Sequence, residues 1–361
     1  MQRIVIKLGT GILTTGIGEV DTGRINAICE QVAEARKRGI EVLVVSSGAV
    51  GMGMGVLGLQ SRPSTLPKQQ ACAAIGQSRL IQCWQTGLDP YGIVAGQMLL
   101  THEGLRIRNR YVNAKSTIDR LLTYNVIPII NENDSVSAFE IKFGNNDILG
   151  AMVASLAEAD QLQILSTAPG LIDMDGTGEI IPVVDKVTPE IESLAKGTSS
   201  PTAVGGMIPK LEAAKLATDA GCETYIADGA AENIILRILE GEPVGTRFLA
   251  SDSPLVSKKR WLAYFQRPSG SIQIDEGACR ALIRDESSLL AAGVAACEGD
   301  FHAGDVIDVL NFKGEPIARG ESAFSSHEIR QISRKSASEI ETLFPNRKRL
   351  EVIHRDALVL L

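Results

Sequence analysis

From Arg3 to Leu239 the chain alternates short β-branched runs with stretches of helical periodicity, and that order permits few folds. Arg3–Leu8 reads as a strand. Asp21 is placed to cap a helix running to about Arg38, where Gly39 ends it. Strands are predicted at Glu41–Val45, Ile93–Leu100, Val126–Ile130, Gln161–Leu165 and Glu223–Ala227. Helices are predicted at Lys68–Trp84, Arg108–Tyr124, Asn145–Glu158, Pro209–Ala220 and Glu232–Leu239. Strands that alternate with helices pair in parallel and are covered on both faces. The expected fold class is therefore α/β, an open and mainly parallel sheet sandwiched by helices.

The pattern changes near Ser251–Lys259. Ser251-Asp252-Ser253-Pro254 is turn-like, and Lys258-Lys259-Arg260 follows. Beyond it short strands dominate, at Trp261–Phe265, Ser271–Ile274, Val306–Asn311 and Pro316–Gly320. One helix is expected near Gly277–Arg284, and a hairpin turns at Lys313-Gly314-Glu315. The expected division is a first domain over 1–252, a linker over 253–270 and a small, mostly β domain with its tail over 271–361.

Composition removes several classes of function. No run approaches the ~20 apolar residues of a membrane helix. Met1 leads directly into the first strand, so no signal peptide and a cytoplasmic location are expected. The six cysteines are scattered without a Cys-x-x-Cys pair, as reduced small hydrophobes would be. A net charge of −7 opposes general binding to nucleic acid or anionic membranes. The four histidines have no metal-ligand spacing and are expected at the surface or in turns.

The strand ends carry the chemistry. Val126–Ile130 runs into Asn131-Glu132-Asn133-Asp134, and Asn145-Asn146-Asp147 follows a short turn later. Apolar strands seldom end in so many short hydrogen-bonding side chains unless a polar ligand sits there. In open α/β sheets, ligands bind at the carboxyl ends of strands. Such a cluster suits a small, charged, amino-acid-like molecule. Lys7 ends the first strand and leads into Gly9-Thr10-Gly11, where small residues let backbone N–H groups approach a phosphate. Ser46-Ser47-Gly48-Ala49-Val50-Gly51 is a second strand-to-loop junction. Gly205-Gly206-Met207-Ile208-Pro209-Lys210 is a third, in which Pro209 reads as the first helical residue. A glycine pair before a helix N-terminus suits an anion. Each junction alone is an ordinary loop. Two lysines and a carboxylate aimed at one place point to phosphoryl chemistry.

One motif is a decoy. Gly53-Met54-Gly55-Val56-Leu57-Gly58 has G-x-G-x-x-G spacing but lies well past the strand ending at Val45, away from the turn a dinucleotide fingerprint needs. No G-x-x-x-x-G-K-[ST] occurs, which excludes a P-loop kinase.

The order Lys7-x-Gly9-Thr10, Ser47-Gly48-Ala49, Asn131-Glu132-Asn133-Asp134, Asn146-Asp147 and Gly205-Gly206-Met207-x-x-Lys210 resembles the glutamate 5-kinases (γ-glutamyl kinases) of the amino-acid kinase family. Gln69-Gln70, Gly76-Gln77-Ser78-Arg79-Leu80 and Gly96–Thr101 are similar too. Ser271–Ser336 is similar to the PUA domain that many of them carry. The resemblance spans nearly the whole chain. It implies a homo-oligomeric (dimer or tetramer), cytoplasmic enzyme of proline biosynthesis. The implied reaction uses ATP and Mg²⁺ to phosphorylate the side-chain carboxylate of L-glutamate, giving L-glutamyl 5-phosphate. By the same resemblance, Lys7 and Lys210 hold the transferring phosphoryl group and Asp147 orients both. Ser47, Asp134 and Asn146 match the glutamate contacts, with Asn131 and Lys142 in support. Gly9, Thr10, Ser166, Thr167, Val204, Gly205, Gly206 and Met207, with the two lysines, match the nucleotide side. No protein metal ligand is implied, because Mg²⁺ would bridge the ATP phosphates.

The chain departs from the family on the nucleotide side. Ser166-Thr167 stands where the family usually has Thr-Asp. Val204 and Pro209 replace both threonines of Thr-Gly-Gly-Met-x-Thr-Lys. Two hydroxyls and one N–H are gone, and Pro209 is expected to push Ile208 out of helical geometry. Weaker ATP binding than in family members is the expected consequence. Two rival classes fit parts of the chain. One is another small-molecule kinase of this fold, such as an acetylglutamate or uridylate kinase. The Asn-Glu-Asn-Asp cluster and the tail weigh against it. The other is a weakly active regulatory protein whose tail binds RNA. From Ser271 to Leu361 there are 11 Lys+Arg against 15 Asp+Glu, a balance of −4 that opposes phosphate attraction. The tail is expected to serve assembly or regulation.

Overall fold

The computed structural model describes residues 2–16, 18–137, 146–174, 176–195, 206–251, 268–285, 287–347 and 349–361. The chain divides into two compact units, Met1–Pro254 and Leu255–Leu361.

The first unit carries strands β1 (Arg3–Leu8), β2 (Thr14–Gly16), β3 (Glu19–Val20), β4 (Glu41–Ser46), β5 (Ala95–Leu100), β6 (Ile127–Glu132), β7 (Gln161–Ser166), β8 (Val183–Val184), β9 (Glu223–Asp228) and β10 (Thr246–Phe248). Strands β2 and β3 form a separate hairpin. The other eight form one sheet in the order β5-β6-β4-β1-β7-β9-β10-β8. It is parallel from β5 to β9, and β10 runs antiparallel to β9. The chain runs from β1 to β4, out to β5 at the edge and back to β6 between them, then crosses to β7 and β9 on the other side. The order reverses beside β1, where crevices form at the carboxyl ends of the strands.

Side-chain alternation decides what faces that crevice. Ile4, Ile6 and Leu8 of β1 pack with Val42, Val44, Ile127 and Ile129 into a core under the helices Thr22–Lys37 and Leu66–Leu88. Val5 and Lys7 therefore face the opposite side of the sheet. That side is covered by the helices Asn146–Leu156 and Met207–Asp219, which also pack on each other. Asp21 caps the first long helix by accepting from the Arg24 N–H at 2.8 Å, and Gly39 follows at φ 80°.

Several elements differ from expectation. Strand β6 continues through Glu132, so Asn131 and Glu132 are strand residues on opposite faces rather than loop residues. Residues after Ser47-Gly48 form a helix, Ala49–Val56, not a loop. Its glycines explain the decoy motif. A Cβ on Gly53 would stand 1.8 Å from the Cys72 carbonyl oxygen, one on Gly55 2.2 Å from that of Gly18, and one on Gly76 1.8 Å from that of Ala49. The missing side chains let the helices Ala49–Val56 and Leu66–Leu88 touch backbone to backbone. Gly76→Ala is expected to destabilise the protein by about 1–3 kcal/mol through overpacking, readable as a lowered Tm. The third difference is at Pro209. The helix begins at Met207 with Gly206 as its N-cap, so Pro209 sits inside the first turn and Ile208 is helical. First-turn N–H groups have no intrahelical acceptor, so proline is tolerated there.

The second unit has a five-stranded sheet of β11 (Gly270–Ile274), β13 (Val294–Gly299), β14 (Val306–Leu310), β15 (Pro316–Glu321) and β17 (Leu358–Leu360), in the order β13-β11-β14-β15-β17. Strands β12 (Leu289–Leu290) and β16 (Glu351–Ile353) form a separate pair. A core including Ile272, Phe301, Phe324 and Val352 fills it. The single expected helix is present at Glu276–Asp285. Two more occur at Ser326–Ile332 and Ala337–Leu343. Each begins with a Ser-x-x-Glu box: Glu328 accepts from the Ser325 N–H at 2.7 Å, and Glu339 from the Ser336 N–H at 2.8 Å. The expected strand Trp261–Phe265 and the expected domain boundary lie outside the described residues.

Candidate active site

Lys7 is a lysine in the middle of a buried sheet. It is 4% exposed, on a strand whose neighbours Ile4, Val5, Ile6 and Leu8 are fully covered. An ammonium group there needs a counter-charge. Asp147, in the first turn of the helix Asn146–Leu156, supplies it: Lys7 Nζ lies 2.5 Å from Asp147 Oδ1. Gly150, one turn further on, allows the approach, since a Cβ at that position would stand 3.1 Å from Lys7 Cβ and Cγ. Lys210, in the first turn of the helix Met207–Asp219, reaches the other oxygen, with Nζ 3.2 Å from Asp147 Oδ2. One carboxylate thus fixes two ammonium groups side by side. Burial pushes the Asp147 carboxyl up, and the charges of Lys7 and Lys210 outweigh this and hold it below its ordinary value. Burial draws the Lys210 ammonium down, with Lys7 adding to the effect and Asp147 opposing it.

The neighbour of Asp147 opens a second group. Asn146 Nδ2 donates to Ser47 Oγ at 2.8 Å and to Asn131 Oδ1 at 3.0 Å. Ser47, Asn131, Asp134 and Asn146 are all buried, at 4%, 1%, 5% and 2% exposure. Ser47 follows β4, Asn131 is the last residue but one of β6 and Asp134 lies just past that strand, so the cluster sits at the carboxyl ends of adjacent strands. Because residues 146 and 147 are consecutive, the amide cluster and the lysine pair share one helix start.

Of the residues matched to the nucleotide side, Gly9 follows β1, and a Cβ on it would lie 3.7 Å from Lys7 Nζ and 3.9 Å from Ser166 Cβ. Its N–H donates to the Leu165 carbonyl at 3.1 Å, so it does not point outward to a phosphate as expected. Pairing with β7 has claimed it. Thr10 and Thr167 are exposed. Ser166 is buried and its hydroxyl accepts from the Ala168 N–H at 3.2 Å. Gly206 is exposed as the helix N-cap and Met207 is buried. Lys142, Val204 and Gly205 lie outside the described residues.

Two family models match the chain: the amino acid kinase family over residues 2–228, and the PUA domain over residues 270–344. The glutamate 5-kinase of Trichlorobacter lovleyi is 42% identical, covering all of this chain and 97% of that protein. Those of Myxococcus xanthus and Geobacter sulfurreducens are 41% and 42% identical, again over all of this chain and 96% and 98% of theirs. The chain belongs to the glutamate 5-kinases of the amino acid kinase family. A structure of carbamate kinase from Giardia lamblia bound to AMP-PNP has the same fold, with a TM-score of 0.50 and 20% identity, covering 69% of this chain and 99% of that one.

Sequence reasoning on this family member missed the residues that hold the cluster. Gln77 Oε1 accepts from Asn131 Nδ2 at 2.9 Å. Trp84 Nε1 donates to Ser46 Oγ at 3.0 Å, next to Ser47. Both lie on the helix Leu66–Leu88, seven residues apart and so on one face. Their spacing was a usable signal, because a glutamine on an otherwise apolar helix stripe has to find a buried partner. His102 is expected from the sequence at the surface or in a turn. It is 3% exposed, and its Nδ1 lies 2.7 Å from Glu132 Oε2. Thr101 caps the short helix His102–Arg106 and turns the chain back against the tip of β6. All six cysteines are free thiols, and burial pushes that of Cys29 up to about 12. Among the described residues no helix is long and apolar enough to cross a membrane.

Proposed function

We propose that the chain transfers the γ-phosphoryl group of ATP to the side-chain carboxylate of L-glutamate, the acyl-phosphate-forming step that opens proline biosynthesis. The juxtaposition of Lys7–Asp147–Lys210 with Ser47–Asn146–Asn131 on one helix start carries this reading. A carboxylate acceptor is already ionised at neutral pH, so the reaction needs no general base. A carboxylate oxygen forms a bond to the γ-phosphorus while the bond to the β,γ-bridging oxygen breaks, and ADP leaves with that electron pair. The protein's part is to align two anions and offset charge where it develops. Lys7 approaches the phosphoryl group from the end of β1 and Lys210 from the first turn of the helix Met207–Asp219, and Asp147 fixes their separation. Asp134 suits the substrate ammonium, and Ser47 and Asn146 offer hydrogen bonds to its oxygens.

Mg²⁺ would ride on the nucleotide. Among the described residues no His, Cys, Asp or Glu cluster could hold a metal ion. Asp147 already has an ammonium group at each oxygen. The phosphates would hold the ion and the lysines would complete the charge balance.

An ATP-dependent assay with glutamate, trapping the acyl phosphate with hydroxylamine, tests the reading. Hydroxamate with glutamate, none with acetylglutamate, and no ADP release with UMP is the expected result. A separate expectation concerns Asp134. Asp134→Ala should raise the glutamate KM by an amount equivalent to about 2–5 kcal/mol, the cost of removing one partner of a buried charge pair. The ATP KM should stay near the parent value. An ATP defect of equal size would place Asp134 in the other half of the site.

A further inference from the structure

The amide cluster has a fixed polarity. The backbone N–H of Glu132 can only donate, so the Asn131 atom 2.9 Å from it is the carbonyl Oδ1. Asn131 Nδ2 then faces Gln77, whose facing atom at 2.9 Å has to be the acceptor Oε1. Asn146 has to present Nδ2 to Asn131 Oδ1, and that same Nδ2 donates to Ser47 Oγ. Both of its hydrogens are then engaged, and Ser47 Oγ is the acceptor of the pair. The Ser47 hydroxyl hydrogen is left to be donated elsewhere.

We propose that Gln77 is a positioning residue for the phosphoryl acceptor. It is the terminal hydrogen-bond acceptor of the row Gln77–Asn131–Asn146–Ser47. By satisfying the buried Asn131 NH₂, it holds the amides in the one direction that makes the Ser47 hydroxyl a donor to a substrate carboxylate oxygen. The site residues matched by family resemblance give Gln77 no such role. Its placement is firm. It stands on the helix whose Gly76 touches the Ala49 backbone, and whose Trp84 grips Ser46. One helix face therefore holds the tips of both β4 and β6. Without the Gln77 oxygen, Asn131 loses a reason to keep its orientation, and the disorder is passed to Asn146 and Ser47. The nucleotide side has no member in this row.

This role rests on the glutamate reading, and the test separates the two. Gln77→Leu and Gln77→Glu are compared with the unmodified chain by steady-state kinetics in both substrates. Leucine keeps the volume and removes the acceptor, so the glutamate KM should rise about tenfold, the worth of the Ser47 hydrogen bond to a charged carboxylate. The ATP KM and kcat should stay within about twofold, as expected for a loss confined to acceptor binding. Glutamate keeps an acceptor oxygen at the same reach, so its glutamate KM should stay within about threefold of the parent. Equal rises in both variants, no rise with leucine, or a matching rise in the ATP KM would each overturn the role. If Gln77→Leu fails to fold, Gln77→Glu decides alone: a near-parent KM supports the role and a tenfold rise refutes it. An unmodified chain inactive on glutamate overturns the underlying reading instead.

Discussion

Replacing Lys7 or Lys210 by alanine should cut kcat by about 10²–10³-fold, the loss seen when one preorganised donor to a developing charge is removed. The glutamate KM should move little, because the proposed reaction sets the lysines against the phosphoryl group and not the substrate end held by the amide cluster. Each variant should remain folded. Asp147 pairs with both lysines, so the one that remains keeps its counter-charge. Steady-state kinetics with a thermal melt reads both quantities. Unchanged turnover with a raised glutamate KM would remove the lysines from the phosphoryl site.

Asp147→Asn should fail in both respects. Two buried ammonium groups would then face each other across a neutral amide. Removing one partner of a buried ion pair typically costs about 3–5 kcal/mol, and here one carboxylate serves two cations. A melting temperature well below that of either lysine variant is expected, with activity near background. The pH dependence follows from the sign of the shift. The folded Asp147 carboxyl lies below its ordinary value of 3.8. Its contribution is therefore fully present above that value and is lost as pH falls through the lower, folded one. On the acid side the stability gap between parent and Asp147→Asn should close as that carboxyl protonates. A gap that stayed fully open in acid would contradict the assignment.

The lysine and amide groups were legible because their chemistry conflicts with their surroundings. A lysine ending the run Ile4–Ile6, and four polar residues after Ile130, are costly unless they meet partners. The strands of the sheet were legible for the opposite reason: buried on both faces, they are continuous apolar runs. What stayed hidden depends on pairs distant in sequence. His102 and Glu132 are thirty residues apart, and only the return of the chain after β5 joins them. The close packing at Gly53, Gly55 and Gly76 is invisible in a motif that also fits a dinucleotide loop. Pro209 misled because proline was read as a helix's first residue, when any first-turn position accepts it. The helices Ser326–Ile332 and Ala337–Leu343 were within reach, since both Ser-x-x-Glu boxes stand in the sequence.

The shared carboxylate also bears on what a nucleotide would bring with it in the proposed reaction. Two lysines and Asp147 together carry a single net positive charge. A triphosphate and a substrate carboxylate meeting there would carry several negative ones. A bare nucleotide would be under-neutralised, so the proposed site would select by charge one that arrives with a bound cation, before any contact to its base is made.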